Sequence, residues 1–183
     1  MSNMLPEKNA VLPVTEPLAA DLPATGTPIP FAATLHVRDT CICLHLQRAA
    51  RAVARRFDEA LRPFGLTNGQ FSLLMSLNRP VPPGIAAIAR TLAMDRTTVT
   101  AALKPLERRG LLSTGPDPDD RRGRRVSLTP DGMRTLAAAL PVWQAAHAAL
   151  DAGPDGQLGR DDPHAAGSAA RLRADLERLS SAE

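Results

Sequence analysis

Residues 85–128 constrain this chain more than any other stretch, and at their centre is DRTTVTAALKPLERRGLL, residues 95–112. Asp95 suits the start of a helix, because its carboxylate can accept hydrogen bonds from the open N–H groups of a first turn. Val99, Leu103 and Leu106 follow at spacings of four and three and predict a buried stripe. Thr97, Thr100, Ala101 and Lys104 fall on another face, with small polar groups and a cation but no acid. Such a surface can enter the major groove of duplex DNA, where hydroxyls and cations meet base edges and phosphates. Gly110 stands where a helix ends. Pro105 removes one backbone hydrogen bond inside it and predicts a bend near 101–105. Upstream, IAAIARTLAM (85–94) predicts a shorter helix with Ile85, Ile88 and Leu92 inward. Helix, tight turn and Asp-capped helix form the helix-turn-helix pattern.

The next residues extend that pattern. Leu111-Leu112-Ser113 predicts a short strand, GPDPDDRRGRR (115–125) a turn with four arginines, and Val126-Ser127-Leu128 the returning strand. A basic hairpin directly after a recognition helix is a wing. Residues 90–125 hold nine Arg/Lys against five Asp/Glu, a local +4 in a chain whose total is +3. That concentration is the footprint of a phosphate-binding surface.

Four segments taken in order, LAMDRTTVT (92–100), LERRGLL (106–112), PDDRR (118–122) and VSLTPDG (126–132), resemble the MarR family of winged-helix transcriptional regulators. The resemblance covers about residues 38–150. It implies a mainly α (α+β) fold, in which a winged helix-turn-helix domain is joined to a dimerisation region built from the N- and C-terminal helices. The recognition-helix candidates are Arg96, Thr97, Thr98, Thr100 and Lys104. Thr97 and Thr100 are placed on base edges and Lys104 on phosphate. In the wing, Asp120, Arg121 and Arg122 match the family's Asp-x-Arg element. By resemblance Arg122 enters the minor groove, while Asp120 and Asp95 orient the wing arginines. A carboxylate can hold a guanidinium in one bidentate geometry that a long side chain otherwise lacks. Arg124 and Arg125 are expected to add phosphate contacts. Two departures are visible: Gly84 where a Ser/Thr cap is commoner, and Ala93 in a turn where many members have Gly.

The flanks divide the chain further, into segments 1–33, 34–65, 66–130 and 131–183. Six prolines between Pro6 and Pro30 interrupt every regular element in residues 1–33, which predicts a disordered or extended arm, dispensable or wrapped on a partner subunit. Residues 38–62 predict one long helix, with Ile42, Leu46, Ala49, Val53, Phe57 and Ala60 on one side and Gln47, Arg48, Arg51, Arg55, Glu59 and Arg62 on the other. The resemblance implies that this helix packs against a second subunit. Cys41 and Cys43 lie ~200° apart on a helix and cannot face each other. Cys41 and His45 share a face at i and i+4, compatible with a thiol beside a base or with two metal ligands. The alternative is that both cysteines are small apolar fillers. Some MarR-like peroxide sensors carry a reactive cysteine in this region, but with tyrosines around it, and this chain has none.

Thr67 and Gln70 predict a capping box for a helix over 66–80, with Leu66 and Phe71 as its hydrophobic staple and Phe71, Leu74 and Met75 inward. Thr129 and Pro130 begin a helix through 150, with Met133, Leu136, Leu140, Trp143, His147 and Leu150 as a seam and a kink at Pro141. Trp143 and His147 are expected in packing. They are also candidates for a ligand cavity between this helix and the one at 38–62. Residues 151–163 read as a loop and 164–180 as a last helix with Ala165, Ala169, Leu172, Leu176 and Leu179 on one side.

These features predict a DNA-binding regulator, a repressor more readily than an activator, that binds a pseudo-palindromic operator as a homodimer and is released by a small-molecule effector. Cys41/Cys43 oxidation is the alternative trigger. The rival classes are a non-specific architectural or protein-docking winged helix, and a nuclease holding metal at Asp117, Asp119 and Asp120. No phosphate-binding glycine loop, His-Glu metal motif or nucleophile elbow is present in the sequence. An enzyme, a cofactor and a resident metal are therefore not expected. Neither a signal peptide nor a membrane span is recognisable, and two cysteines in a chain of this length fit a reducing cytoplasm.

Overall fold

The computed structural model describes residues 28–118, 123–151 and 168–180. The chain divides into two compact units, Met1–Leu44 and His45–Glu183. In the first, helix α1 spans Phe31–Thr40 and begins where the run of prolines stops at Pro30. Residues 31–33, read as tail, are thus helical. The Thr40 hydroxyl donates to the His36 carbonyl (2.7 Å), and the Cys41 N–H donates to the Val37 carbonyl (3.0 Å). Cys41 then turns to φ −72°, ψ 103°, outside helical space. The single helix expected from residue 38 is therefore two. Hydrophobic period alone does not register a break one residue wide.

The second helix, α2, spans Ile42–Leu61 and buries Phe57 and Leu61. Its N-terminal half, expected to bury the same stripe, leaves Ile42 and Leu46 exposed. A turn of 3₁₀ helix at Arg62–Phe64 follows, and Gly65 supplies the left-handed conformation (φ 65°) that reverses the chain. Helix α3, Asn68–Leu77, carries the full capping box: Gln70 N–H on Thr67 Oγ1 (3.2 Å) and Thr67 N–H on Gln70 Oε1 (3.1 Å). Phe71, Leu73, Leu74 and Leu77 fill its inner side, so Met75 stays partly exposed at the rim instead of facing inward.

Helices α4 (Ile85–Leu92) and α5 (Arg96–Arg108) form the helix-turn-helix, with Ala93 in the left-handed region between them. Strands β1 (Leu112–Pro116) and β2 (Arg124–Leu128) pair antiparallel in the register Leu112↔Leu128, Thr114↔Val126, Pro116↔Arg124. Both strands reach further into the polar segment than hydrophobicity indicated, because backbone pairing there does not depend on apolar side chains. The segment before α4 adds a partial third strand: Gly84 bridges Arg125, and the Val126 N–H donates to the Pro83 carbonyl (3.0 Å). Helix α6 spans Pro130–Asp151 and runs through Pro141 unbroken, as α5 runs through Pro105. Helix α7 spans Ser168–Ser180. The expected loop at 152–163 and the start of the last helix, with Ala165, lie outside the described residues.

One core joins the second unit. Leu61, Leu74, Ile88, Val99, Leu106, Leu112, Val126 and Leu136 meet in it with almost no exposure. α2, α3, α4, α5, the hairpin and α6 each contribute, so the reading elements share their hydrophobic support. In α6 the inward side starts at Leu136 and Ala139, whereas Met133 at the head of the expected seam is exposed.

Candidate nucleic-acid interface

Helix α5 is held by three buried side chains, Val99, Leu103 and Leu106. The same rotation leaves Arg96, Thr97, Thr98, Thr100 and Lys104 exposed, so all five recognition-helix candidates lie at the surface. Their roles differ. Asp95 caps the helix: its Oδ1 accepts the Thr98 N–H (2.7 Å), and its Oδ2 accepts the Thr98 hydroxyl. The Thr98 hydroxyl, followed by the Thr98 N–H, holds the Asp95 carboxyl below the usual carboxylate range. Thr98 is therefore engaged in the cap. The Thr100 hydroxyl donates to the Arg96 carbonyl (2.7 Å), which leaves its oxygen lone pairs to accept from outside.

The far end of α5 closes at Gly110, as its sequence indicates, and is anchored by further contacts from outside the helix. Gly110 (φ 70°) and Leu111 return N–H groups to Glu107 (2.9 Å) and Leu106 (3.0 Å) carbonyls, closing the helix. The Thr129 hydroxyl donates to the Gly110 carbonyl (2.6 Å) and accepts the Gly132 N–H (3.0 Å). One hydroxyl thus ties the end of α5 to the start of α6. Gly132 is required there, since a Cβ would overlap the Leu111 carbonyl. Arg109 Nη1 donates to the Gly65 carbonyl (2.7 Å), and Glu107 Oε1 accepts the Thr114 N–H (3.0 Å), fixing the hairpin on the helix. Gly110 and the VSLTPDG segment carried a sequence signal for these; Glu107 and Arg109 look like ordinary surface charges.

In the hairpin, Arg124 is exposed while Arg125 is half-buried. Arg125 Nε lies 2.9 Å from Asp117 Oδ1, an ion-pair contact rather than an aligned hydrogen bond. The Asp117 N–H donates to the Gly123 carbonyl (3.1 Å). Between this hairpin and the helices lies a cleft of about 510 Å³, lined by Ile85, Arg96, Thr100, Asp117 and Arg124 among others. The wing candidates Asp120, Arg121 and Arg122 lie outside the described residues, as does Asp119.

The sensing candidates fall into two groups. Cys41 and Cys43 lie in the first unit, with Cys41 Sγ accepting the Leu44 N–H (3.5 Å) at the start of α2. His45 and Arg48 follow on the exposed part of α2, so His45 no longer shares a continuous helix with Cys41. Trp143 and His147 are brought together, their rings 4.8 Å apart. Phe57 lies against both (6.2 and 5.8 Å), and Phe71 stacks on Trp143 at 5.7 Å. A cavity of about 380 Å³ opens beside Trp143, lined also by Phe71, Met75, Ser76, Arg79 and Thr91. It lies among α3, α4 and α6. Arg79 Nη2 donates to Thr91 Oγ1 (3.0 Å) at its edge.

Residues 66–123 match the sequence model of the MarR family. The DNA-bound transcriptional regulator MosR of Mycobacterium tuberculosis superposes with a TM-score of 0.64 at 33% identity, over 78% of this chain and 95% of that one. The chain belongs to the MarR family. The uncharacterised HTH-type transcriptional regulator YdcH of Bacillus subtilis is 32% identical over 53% of this chain and 69% of its own length. The transcriptional repressor CouR, bound to a 23-mer duplex, matches at 28% identity and a TM-score of 0.64, over 84% of this chain and 99% of that one. MarR-family proteins are DNA-binding transcriptional regulators, and the mainly helical fold with its two-stranded wing is theirs. Among the described residues of this MarR-family chain, no helix is long and apolar enough to cross a membrane.

Proposed function

We infer that this chain is a sequence-specific regulator, acting as a repressor in the cytoplasm, that binds a pseudo-palindromic operator as a homodimer and carries out no catalysis. One observation carries the reading: α5 is anchored along its apolar side and at both ends, while its opposite face presents Arg96, Thr97, Thr100 and Lys104 beside a basic hairpin. Thr97 and Thr100 meet base edges, Lys104 and Arg124 meet phosphates, and Arg122 enters the minor groove, with Asp120 and Asp95 orienting the wing arginines. Exposed Ile42 and Leu46 on α2, and Leu172, Leu176 and Leu179 on α7, support dimerisation through segments 34–65 and 131–183. Two-fold pairing places half-site centres roughly 34–36 Å apart. Selection of bound duplexes from a random pool tests this. Two-fold symmetric sites of that spacing, each holding two chains, are expected. Recovery of asymmetric or unrelated sequences, or equal competition by any duplex at fixed salt, would favour an architectural winged helix.

The operator is released by a small apolar, aromatic effector. The cavity beside Phe71 and Trp143 supports this, being within the size range of small-molecule sites and having Arg79 at its edge. Such a ligand acts only by preferring the arrangement that cannot bind DNA. Cysteine oxidation is the second trigger. What supports it is the place of Cys41 at the break before α2, where its Sγ accepts the Leu44 N–H (3.5 Å). Operator release by peroxide that persists in a C41S/C43S variant would exclude it.

A further inference from the structure

Asp117 and Arg125 stand out among the charges of the hairpin because both are largely covered. Their side chains retain 16% and 25% of their exposure, whereas the other described ion pairs of this chain lie at the surface. The pair sits where three segments converge. Asp117 closes on Gly123 through its backbone, Arg125 opposes Gly115 in the hairpin, and the same Arg125 bridges Gly84 just ahead of α4. Asp117 also forms part of the cleft wall that faces Arg96, Thr100 and Arg124. An uncompensated carboxylate there would repel the anionic backbone that the cleft's arginines attract.

Resting on the DNA-binding reading, we propose that Asp117 and Arg125 are a positioning pair: together they hold the hairpin over the first turns of α5, and Arg125 is not itself a phosphate contact. A half-buried ion pair gains from reduced screening, and loss of one partner leaves the other charge uncompensated. In this arrangement Arg124 supplies the hairpin's cation to the cleft. Arg125 offsets the Asp117 charge, so the cleft keeps the positive charge of Arg96 and Arg124.

The two assignments of Arg125 predict opposite signs. If Arg125 contacts phosphate and Asp117 merely competes for it, D117N tightens DNA binding, since it adds a net positive charge. If the pair positions the hairpin, D117N weakens operator binding despite that charge, by about tenfold, and D117E restores most of the loss. The salt dependence separates them again, because each phosphate contact contributes ~0.9 to the slope of log affinity against log salt. R125Q is expected to weaken binding with the slope unchanged. The experiment measures operator affinity of the full chain from low to moderate salt for wild type, D117N, D117E and R125Q, with melting curves alongside. Tighter or unaltered binding by D117N, or a slope reduced by about one in R125Q, overturns the proposal. Should D117N fail to fold, the R125Q slope alone decides. If the wild type selects no operator, the DNA reading fails first and the pair's role falls with it. If the wild type binds and D117N tightens, only the pair's role is lost.

Discussion

Single residues at the head of α5 set both stability and recognition. Asp95 accepts two hydrogen bonds from Thr98, and its folded carboxyl titrates below the ordinary value of 3.8. A depressed carboxylate contributes stability that is complete above the unfolded value and is lost as pH falls through the folded one. D95A should therefore melt at a lower temperature than wild type at neutral pH. The gap should begin to narrow as pH falls below 3.8 and narrow further through the lower folded value, and D95N should fall between; melting curves taken from pH 7 downward measure it. Thr97 and Thr100 belong to recognition. T97A and T100A should change which sequences are selected, by about 1–3 kcal/mol at the affected base pair, with little change in melting. R122A should weaken operator binding at least tenfold and leave the dimer intact in sedimentation, as expected for loss of a groove-inserted guanidinium.

Elements differ in how far they could be foreseen. The stripe Val99–Leu103–Leu106, the Asp95 cap, the Thr67–Gln70 box and the Thr129–Pro130 start all lie within a few residues of their partners, so local spacing reveals them. The Glu107–Thr114 and Arg109–Gly65 bonds join residues that only the tertiary path brings together, and a surface charge gives no hint of them. The Phe57–Phe71–Trp143–His147 group was half visible: Trp143 and His147 share a helix face, but their phenylalanine partners come from α2 and α3. The break at Cys41 was invisible because the apolar stripe begins only at Ile42, so residues 38–41 carry no period for it to interrupt. Two substitutions test the element joints. Ala93 occupies the left-handed region (φ 49°, ψ 48°), which costs a residue with a Cβ ~1 kcal/mol. A93G should raise stability by somewhat less, since glycine also loosens the unfolded chain. G132A forces a methyl into the Leu111 carbonyl and should lower stability by about 2–4 kcal/mol, read by chemical denaturation.

At the scale of the whole molecule, the exposed leucines of α7 and the open half of α2 call for a second copy. Leu172, Leu176 and Leu179 retain 57, 39 and 61% of their exposure and form an apolar row on one side of α7, which the proposed second copy would cover. An L172E/L179E variant should sediment as a monomer and lose operator binding while the winged domain still melts cooperatively. The fold class was legible because the winged domain is compact in sequence. The helices proposed for dimerisation were less legible, because apolar spacing alone does not say which of their residues stay exposed.

The hydroxyl of Thr129 and the missing side chain of Gly132 clamp the base of α6 to the end of the recognition helix. Twenty-two residues of continuous helix run outward from that clamp, ~33 Å at 1.5 Å per residue. So long a lever converts small swings into useful travel: a swing of ~5° at its outer end corresponds to ~3 Å, close to the 3.4 Å rise between neighbouring base pairs. On the release mechanism proposed above, a rotation of that size would carry a reading head about one base pair out of register.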